Sequence, residues 1–318
     1  MTRPSTIRAP LAQPPHAEVA AAVPSGPFEA LEVSARPLAA AALILLGSAI
    51  VAGTTVLAKA LGTDALGPPL HPLQIAQGRF MFALCGVALA CLFLRPRIIA
   101  PAVPLHFLRA TSGYLTVALL FAAATMIPLA DATAISFLSP IVTMVLAAFV
   151  LRERVRASRW FAAAIALAGA FVLLRPGAGA LSVGALLALL SALTMGVELT
   201  VVKRLTRREG LLQILIFSNV FGTLLSTIGV IMVVRMPTPA QWAGLASLGL
   251  LMLCAQICYV RAMRLADASF VAPVAYTTLI FAAAYDIAIF SAWPDLVSLA
   301  GAGLILVGAV VLTTRERR

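Results

Sequence analysis

The stretch IPLADATAISFLSP at positions 127–140 is echoed in the second half of the chain by LADASFVAP at positions 265–273. The string LADAT at 129–133 aligns with LADAS at 265–269 at an offset of 136 residues, and each string opens a long apolar segment. The alignment continues downstream at an offset of 139 residues. The chain therefore contains an internal repeat.

Composition indicates that lipid solvates most of this chain of 318 residues. Hydrophobic residues make up 62% of it and charged residues 11%, which leaves too few polar side chains to cover a water-soluble globule. A membrane span needs about 20 apolar residues. Ten segments meet that length, so we predict an all-α integral membrane protein with ten transmembrane helices, at 37–59, 72–94, 106–125, 131–151, 159–175, 182–202, 211–234, 240–261, 268–290 and 295–313.

The basic residues alternate along these segments. If the N-terminus is cytoplasmic, 19 of the 23 Lys and Arg lie on the cytoplasmic side, Lys59, Arg175 and Arg235 lie on the other side, and Arg79 lies inside a span. Adding or removing one span would scatter them across both faces. We therefore predict a multi-pass protein with both termini in the cytoplasm. A net charge of +11 would suggest a nucleic-acid partner in a soluble protein, but here the alternation accounts for the charge and we predict none.

Three regions follow from the repeat. Residues 1–35, rich in Pro and Ala, are predicted to form a disordered cytoplasmic tail. Residues 36–176 and 177–314 are predicted to form two five-helix repeats. Because five is an odd number, the second repeat is inverted relative to the first. This arrangement is typical of transporters that bind their substrate between the halves near the bilayer midplane.

Two prolines occupy related places in the repeats. Pro140 lies in the fourth predicted span and Pro273 in the ninth, and each removes a backbone hydrogen bond and frees a carbonyl, that of Ser136 or Ser269. Interrupted helices at such places point to a binding site. A simple packing kink is the alternative, since neighbouring helices can satisfy the freed backbone.

Three charged side chains lie at least four residues inside the ends of the predicted spans. Arg79 and Asp286 have similar depth and could pair across a central cavity, or Arg79 could extend to the interface and Asp286 could lie above the hydrocarbon. Glu198, close in depth to Lys203, Arg109 and Arg261, is predicted to be an ion-pair partner near the inner end of the sixth span, with proton coupling as the alternative.

These patterns define the candidate site residues. The predicted substrate-binding residues are Arg79, Tyr114, Ser136, Gln256, Tyr276 and Thr277, and the predicted coupling residues are Asp286 and Glu198. Histidine is absent from the span interiors and no GxxxxGK[ST] string occurs, so we predict no catalytic residues, no metal, no cofactor and no enzyme activity. The predicted function is secondary transport of a small organic metabolite or drug by alternating access, as gradient-driven export or exchange; a non-transporting membrane scaffold or sensor is the alternative.

Small residues form a seam on the fifth and tenth spans. Ala162 and Gly169 lie one heptad apart, and Gly301 and Gly308 occupy the equivalent places. Such surfaces let helices approach closely. We expect these spans to pack together or, alternatively, to form a homodimer contact.

The chain resembles a known family over residues 37–314. In the first half the resemblance rests on HPLQIAQGRF at 71–80, IPLADATAISFLSP at 127–140 and LRERV at 151–155, and in the second on RAMRLADASFVAPVAYTTL at 261–279. These strings are similar to the EamA-type transporters of the drug/metabolite transporter superfamily. The resemblance implies ten helices in two inverted repeats, an inner-membrane location and secondary transport of small organic solutes.

Overall fold

The computed structural model describes residues 36–96, 98–124, 126–127, 129–174, 182–290 and 296–315. The predicted tail at 1–35 lies outside these residues. Within the described residues the chain forms helices and no strands. The twelve helices of this part are α1 (Pro37–Leu61), α2 (Pro72–Leu94), α3 (Val103–Ala124), α4 (Leu129–Ser136), α5 (Ser139–Val150), α6 (Ala157–Leu174), α7 (Val183–Thr206), α8 (Leu211–Val230), α9 (Pro239–Leu265), α10 (Ala268–Val274), α11 (Thr277–Phe290) and α12 (Leu296–Arg315).

Local sequence explains where several helices begin. Proline at the first position of α2 and α9 costs no hydrogen bond, because the first amides of a helix have no intrahelical acceptor. Thr238 and Gln241 form a reciprocal capping box at the start of α9. The Ser182 hydroxyl accepts from the Ala185 amide at 3.2 Å at the start of α7.

The helices have the length and surface of a membrane protein. Among the described residues, six are long and apolar enough to cross a bilayer, at 37–61, 72–94, 183–206, 211–230, 239–265 and 268–289, and shorter apolar helices lie at 139–150, 157–172 and 299–312. Large apolar side chains face outward, as in Phe93 and Phe149, each 80% exposed. A surface of this kind is stable only against lipid.

The fourth and ninth predicted spans are each interrupted. Residues 137–138 separate α4 from α5, and residues 275–276 separate α10 from α11. The predicted single spans at 131–151 and 268–290 are therefore two short helices each. Both interruptions lie within three residues of the prolines that the sequence singled out, Pro140 and Pro273.

Helix contacts follow the repeat. The repeat relates α1 to α6 with α7 to α12 in chain order, so that the pair α1 and α9 corresponds to the pair α7 and α3. Both pairs are in contact. The pairs α2 with α9 and α8 with α3 correspond in the same way, as do α11 with α1 and α5 with α7. Two pairs, α2 with α8 and α6 with α12, map onto themselves.

The small-residue seam joins α6 to α12 within one chain. A Cβ atom at Gly169 would lie 2.7 Å from the carbonyl oxygen of Gly301, and one at Gly308 would lie 2.9 Å from that of Ala162. The two backbones thus approach so closely that only glycine fits. The predicted packing of these segments against each other is confirmed.

We expect Gly308→Ala to lower the free energy of unfolding by about 1 to 3 kcal/mol, because the new methyl group would push against backbone. Gly303 on the same helix is the matched control, since a Cβ atom there would meet nothing within 4 Å. Thermal unfolding of the two alanine variants in detergent measures the difference. Equal stability of the two variants would contradict the close contact.

Candidate functional site

A carboxylate lies against the backbone between two helices. Glu198 lies about two turns from the end of α7, and a Cβ atom at Gly113 of α3 would lie only 3.0 Å from its Oε2. Because Gly113 has no side chain, the carboxylate of Glu198 can lie directly against the backbone of α3.

Two guanidinium groups lie near enough to this carboxylate to interact with it electrostatically. Arg79 on α2 and Arg109 on α3 are both attracted electrostatically to Glu198. Arg109 is only 4% exposed and donates from Nη1 to the carbonyl of Ile214 at 3.3 Å. The guanidinium carbon of Arg79 lies 4.4 Å from the centre of the Phe80 ring. The site thus carries two positive charges against one negative charge.

Several buried polar atoms at this site have unused hydrogen-bonding capacity. Tyr259 of α9 lies close enough to Glu198 and Arg109 to interact with both electrostatically. Its hydroxyl, Nε of Arg79 and Nε of Arg109 are buried and have no hydrogen-bond partner among the described residues. Buried polar groups normally have partners. We name Arg79, Arg109, Glu198 and Tyr259 the central cluster; its free donors suit an anionic ligand oxygen.

An amide pair lies one turn from Tyr259. Gln256 on α9 accepts through Oε1 from Nδ2 of Asn219 on α8 at 3.1 Å. That amide also donates to the Leu215 carbonyl at 2.8 Å, and the buried Oδ1 of Asn219 has no partner in the described part of the chain. Gln256 therefore connects α8 and α9 beside the central cluster.

Three of the predicted binding residues lie instead at the helix interruptions. The Tyr276 hydroxyl donates to the Phe137 carbonyl at 2.6 Å, and the two rings are stacked with centroids 5.7 Å apart. Thr277 donates to the Val274 carbonyl and Ser136 to the Thr133 carbonyl, both at 2.7 Å. All three hydroxyls thus have backbone acceptors. Phe137, rather than Ser136 or Ser269, supplies the freed carbonyl that Tyr276 binds.

The remaining predicted residues are more scattered. The Tyr114 hydroxyl lies directly against Gly229 of α8. The side chain of Asp286 lies outside the part of the chain that the structure describes, so its predicted pairing with Arg79 stays a prediction. Among the described groups, Glu198 attracts Arg79 electrostatically. A cavity of about 350 Å³, lined by residues including Gln74, Gln77 and Trp242, lies near the start of α2.

The predicted site residues do not include Arg109 or Tyr259, although Arg109 is among the predicted ion-pair partners of Glu198. The predicted span at 106–125 places Arg109 within one turn of its inner end, whereas α3 begins at Val103 and places it further inside the helix. Its position near the start of a long apolar helix was the available signal.

A second polar network joins the two halves at the start of α10. Glu153 accepts from the amides of Ala268 and Ser269, each at 3.2 Å, and so caps α10. Arg159 donates from both terminal nitrogens to Asp267 at 3.1 Å. Glu153 of the LRERV string and Asp267 of the LADAS string thus have structural roles at this contact. In the part of the chain described, no three His, Cys, Asp or Glu side chains group as a metal site would require.

Comparison with protein families gives two matches along the chain. The model of the EamA-like transporter family matches residues 38–175 and again residues 182–314. A solved crystal structure of a protein superposes with a TM-score of 0.73 at 22% sequence identity, over 88% of this chain and 98% of the other. The two proteins share a fold.

Similar curated proteins are named as transporters. A pseudopaline exporter of Pseudomonas aeruginosa (strain UCBPP-PA14) is 28% identical over 77% of this chain and 88% of its own length. An S-adenosylmethionine uptake transporter of Rickettsia prowazekii (strain Madrid E) is 24% identical over 80% and 86%. A riboflavin transporter of Rhizobium johnstonii is 31% identical over 53% and 56%.

We expect Tyr276→Phe to lower stability by about 1 to 3 kcal/mol, because the Phe137 carbonyl would lose its donor while the stacked ring stays. Tyr285→Phe on the same helix is the control, since that hydroxyl lies against Gly53. Thermal unfolding in detergent measures both variants. A Tyr276→Phe protein as stable as the wild type would show that this hydrogen bond does not join the interruptions.

Proposed function

Because the chain belongs to the EamA-like transporter family, we propose that it moves a small organic solute across the inner membrane by alternating access, as a gradient-driven exporter or exchanger. Relatives named as an exporter and as uptake transporters support a small-molecule cargo. They are transporters rather than enzymes.

The proposed architecture is ten membrane crossings in two inverted repeats, 36–176 and 177–314. Two observations support it: the family model matches the chain twice, and helix contacts are preserved when the halves are exchanged. With five crossings in each half, both termini face the cytoplasm, where the basic loops lie. A homodimer remains a prediction.

The observation that carries the proposal is the central cluster. Two guanidinium groups, one carboxylate and a phenol come from α2, α3, α7 and α9, so helices of both halves contribute. Their unpaired Nε and hydroxyl groups lie buried, where an unsatisfied donor costs about 1 to 3 kcal/mol. A bound solute that supplies acceptors removes that cost.

The charges of the cluster define the solute class. Arg79 and Arg109 suit a carboxylate or a similar anionic group, and Glu198 suits an ammonium or another donor. We therefore propose a solute that carries an anionic group and a separate donor or cation. Predicted residues Gln256 and Tyr114 lie on α9 and α3, the helices that supply Tyr259 and Arg109.

A scaffold or sensor is the alternative function. A purely structural role would use buried polar groups for contacts between helices, as Tyr276 and Thr277 do. The unpaired donors of Arg79, Arg109 and Tyr259 favour transport. The coupling role of Glu198 and Asp286 belongs to the transport proposal.

A ligand screen tests the proposed site. Full-length protein in detergent is heated with zwitterionic, anionic and cationic metabolites of similar size, and a solute that binds the folded form raises the unfolding temperature. We expect zwitterionic or anionic solutes to give the shift. Arg79→Gln and Glu198→Gln should each weaken binding about tenfold or more, because each removes a charge-assisted hydrogen bond.

The exposed Arg261 on α9 provides the control variant, Arg261→Gln, which should bind and transport as the wild type does. Uptake of the labelled solute into proteoliposomes loaded with unlabelled solute then tests transport. Unchanged binding and exchange in both cluster variants would rule out the site. Binding without exchange in the wild type would favour a sensor.

The orientation proposal makes a separate prediction. Reporters fused before Met1 and after Arg318 should appear on the same, cytoplasmic face, together with one inserted at 207–210. A reporter inserted at 231–238 should appear on the opposite face, because α8 lies between the two insertion sites. If the two terminal reporters were active on different faces, the chain could not cross the membrane ten times.

A further inference from the structure

A basic cavity lies at the ends of α5 and α7. It has a volume of about 240 Å³ and is lined by Val150, Leu151, Arg152, Arg204, Arg207 and Arg208. This volume is below the roughly 300 to 1,000 Å³ that is typical of sites for drug-sized ligands. The cavity is lined by none of the four residues of the central cluster.

The charges around this cavity do not balance. Glu153 lies next to its lining, and its carboxylate already caps α10 and pairs with Arg207 at 3.5 Å. Arg207 also donates to the Leu151 carbonyl at 3.4 Å. Arg152, Arg204 and Arg208 are exposed and form no ion pair within the part of the chain that the structure describes. Three guanidinium groups therefore face the cavity without an acidic partner.

The cavity also lies where the surface changes from apolar to basic. Phe149 is 80% exposed and Val150 51% exposed at the end of α5, an apolar helix. Arg152 follows only two residues later, with a positive φ of 55° at the point where the chain leaves the helix. Such a step within one turn marks the boundary between hydrocarbon and headgroups.

We propose that this cavity binds the phosphate group of an anionic phospholipid, with the acyl chains along Phe149 and Val150. Guanidinium groups bind phosphate through paired, charge-assisted hydrogen bonds. Basic pockets between membrane helices take anionic headgroups for the same reason. A free phosphate ester shares the headgroup chemistry, but the adjoining exposed apolar surface favours the lipid.

The test compares lipids on the purified full-length chain in a neutral detergent. Phosphatidylglycerol should raise the unfolding temperature with saturation, whereas phosphatidylcholine with the same acyl chains and inorganic phosphate at the same concentration should not. Arg204→Ala combined with Arg208→Ala should weaken binding of phosphatidylglycerol at least tenfold. The control is Arg154→Ala combined with Arg156→Ala, which removes the same charge from exposed residues outside the cavity lining.

Each outcome decides the proposal. Retained affinity in the control and lost affinity in the Arg204/Arg208 variant support it. Equal loss in both variants would overturn it in favour of diffuse surface charge. Equal shifts from phosphatidylcholine would contradict selectivity for an anionic headgroup, and equal shifts from inorganic phosphate would contradict a lipid ligand. Glycine adopts a positive φ without steric strain, so Arg152→Gly should keep the stability of the lipid-free protein. Because it removes a guanidinium group from the cavity, it should still weaken lipid binding.

Discussion

Every backbone amide and carbonyl inside a bilayer needs a partner, because lipid offers none. This constraint governs the two interruptions at 137–138 and 275–276, since each breaks a helical ladder of hydrogen bonds. The Tyr276 hydroxyl satisfies the Phe137 carbonyl, so one interruption supplies the donor that the other lacks. Neither interruption could lie on the lipid-facing surface, and together they hold the two halves in register.

The carboxylates of Glu198 and Glu153 have different surroundings. Glu198 lies deep between helices with two guanidinium groups, whereas Glu153 lies at a helix end and caps α10. The first carboxylate leaves donors of its neighbours unused and the second has its acceptors filled. This contrast separates a site that can take a solute from a contact that holds the fold.

The sequence predicted the helices well and the site only in part. Apolar length placed nearly all helix ends within a few residues, and Pro140 and Pro273 indicated the interruptions, because both signals act within one turn of the chain. Side-chain partners depend on which helices pack together. The predicted partners of Glu198 were therefore the inner basic residues, of which Arg109 does interact with it, whereas its interaction with Arg79 was not predicted. Tyr276 was interpreted as a ligand, yet its hydroxyl binds backbone.

The capping of α10 by Glu153 has a consequence for how that end of the protein can move. The contact joins a loop of the first half to the start of a helix of the second, reinforced by Arg159 and Asp267. Separating these elements would leave the amides of α10 without acceptors and the charged groups without partners, unless water replaced both. Any opening of that end would therefore require water to enter between the two elements.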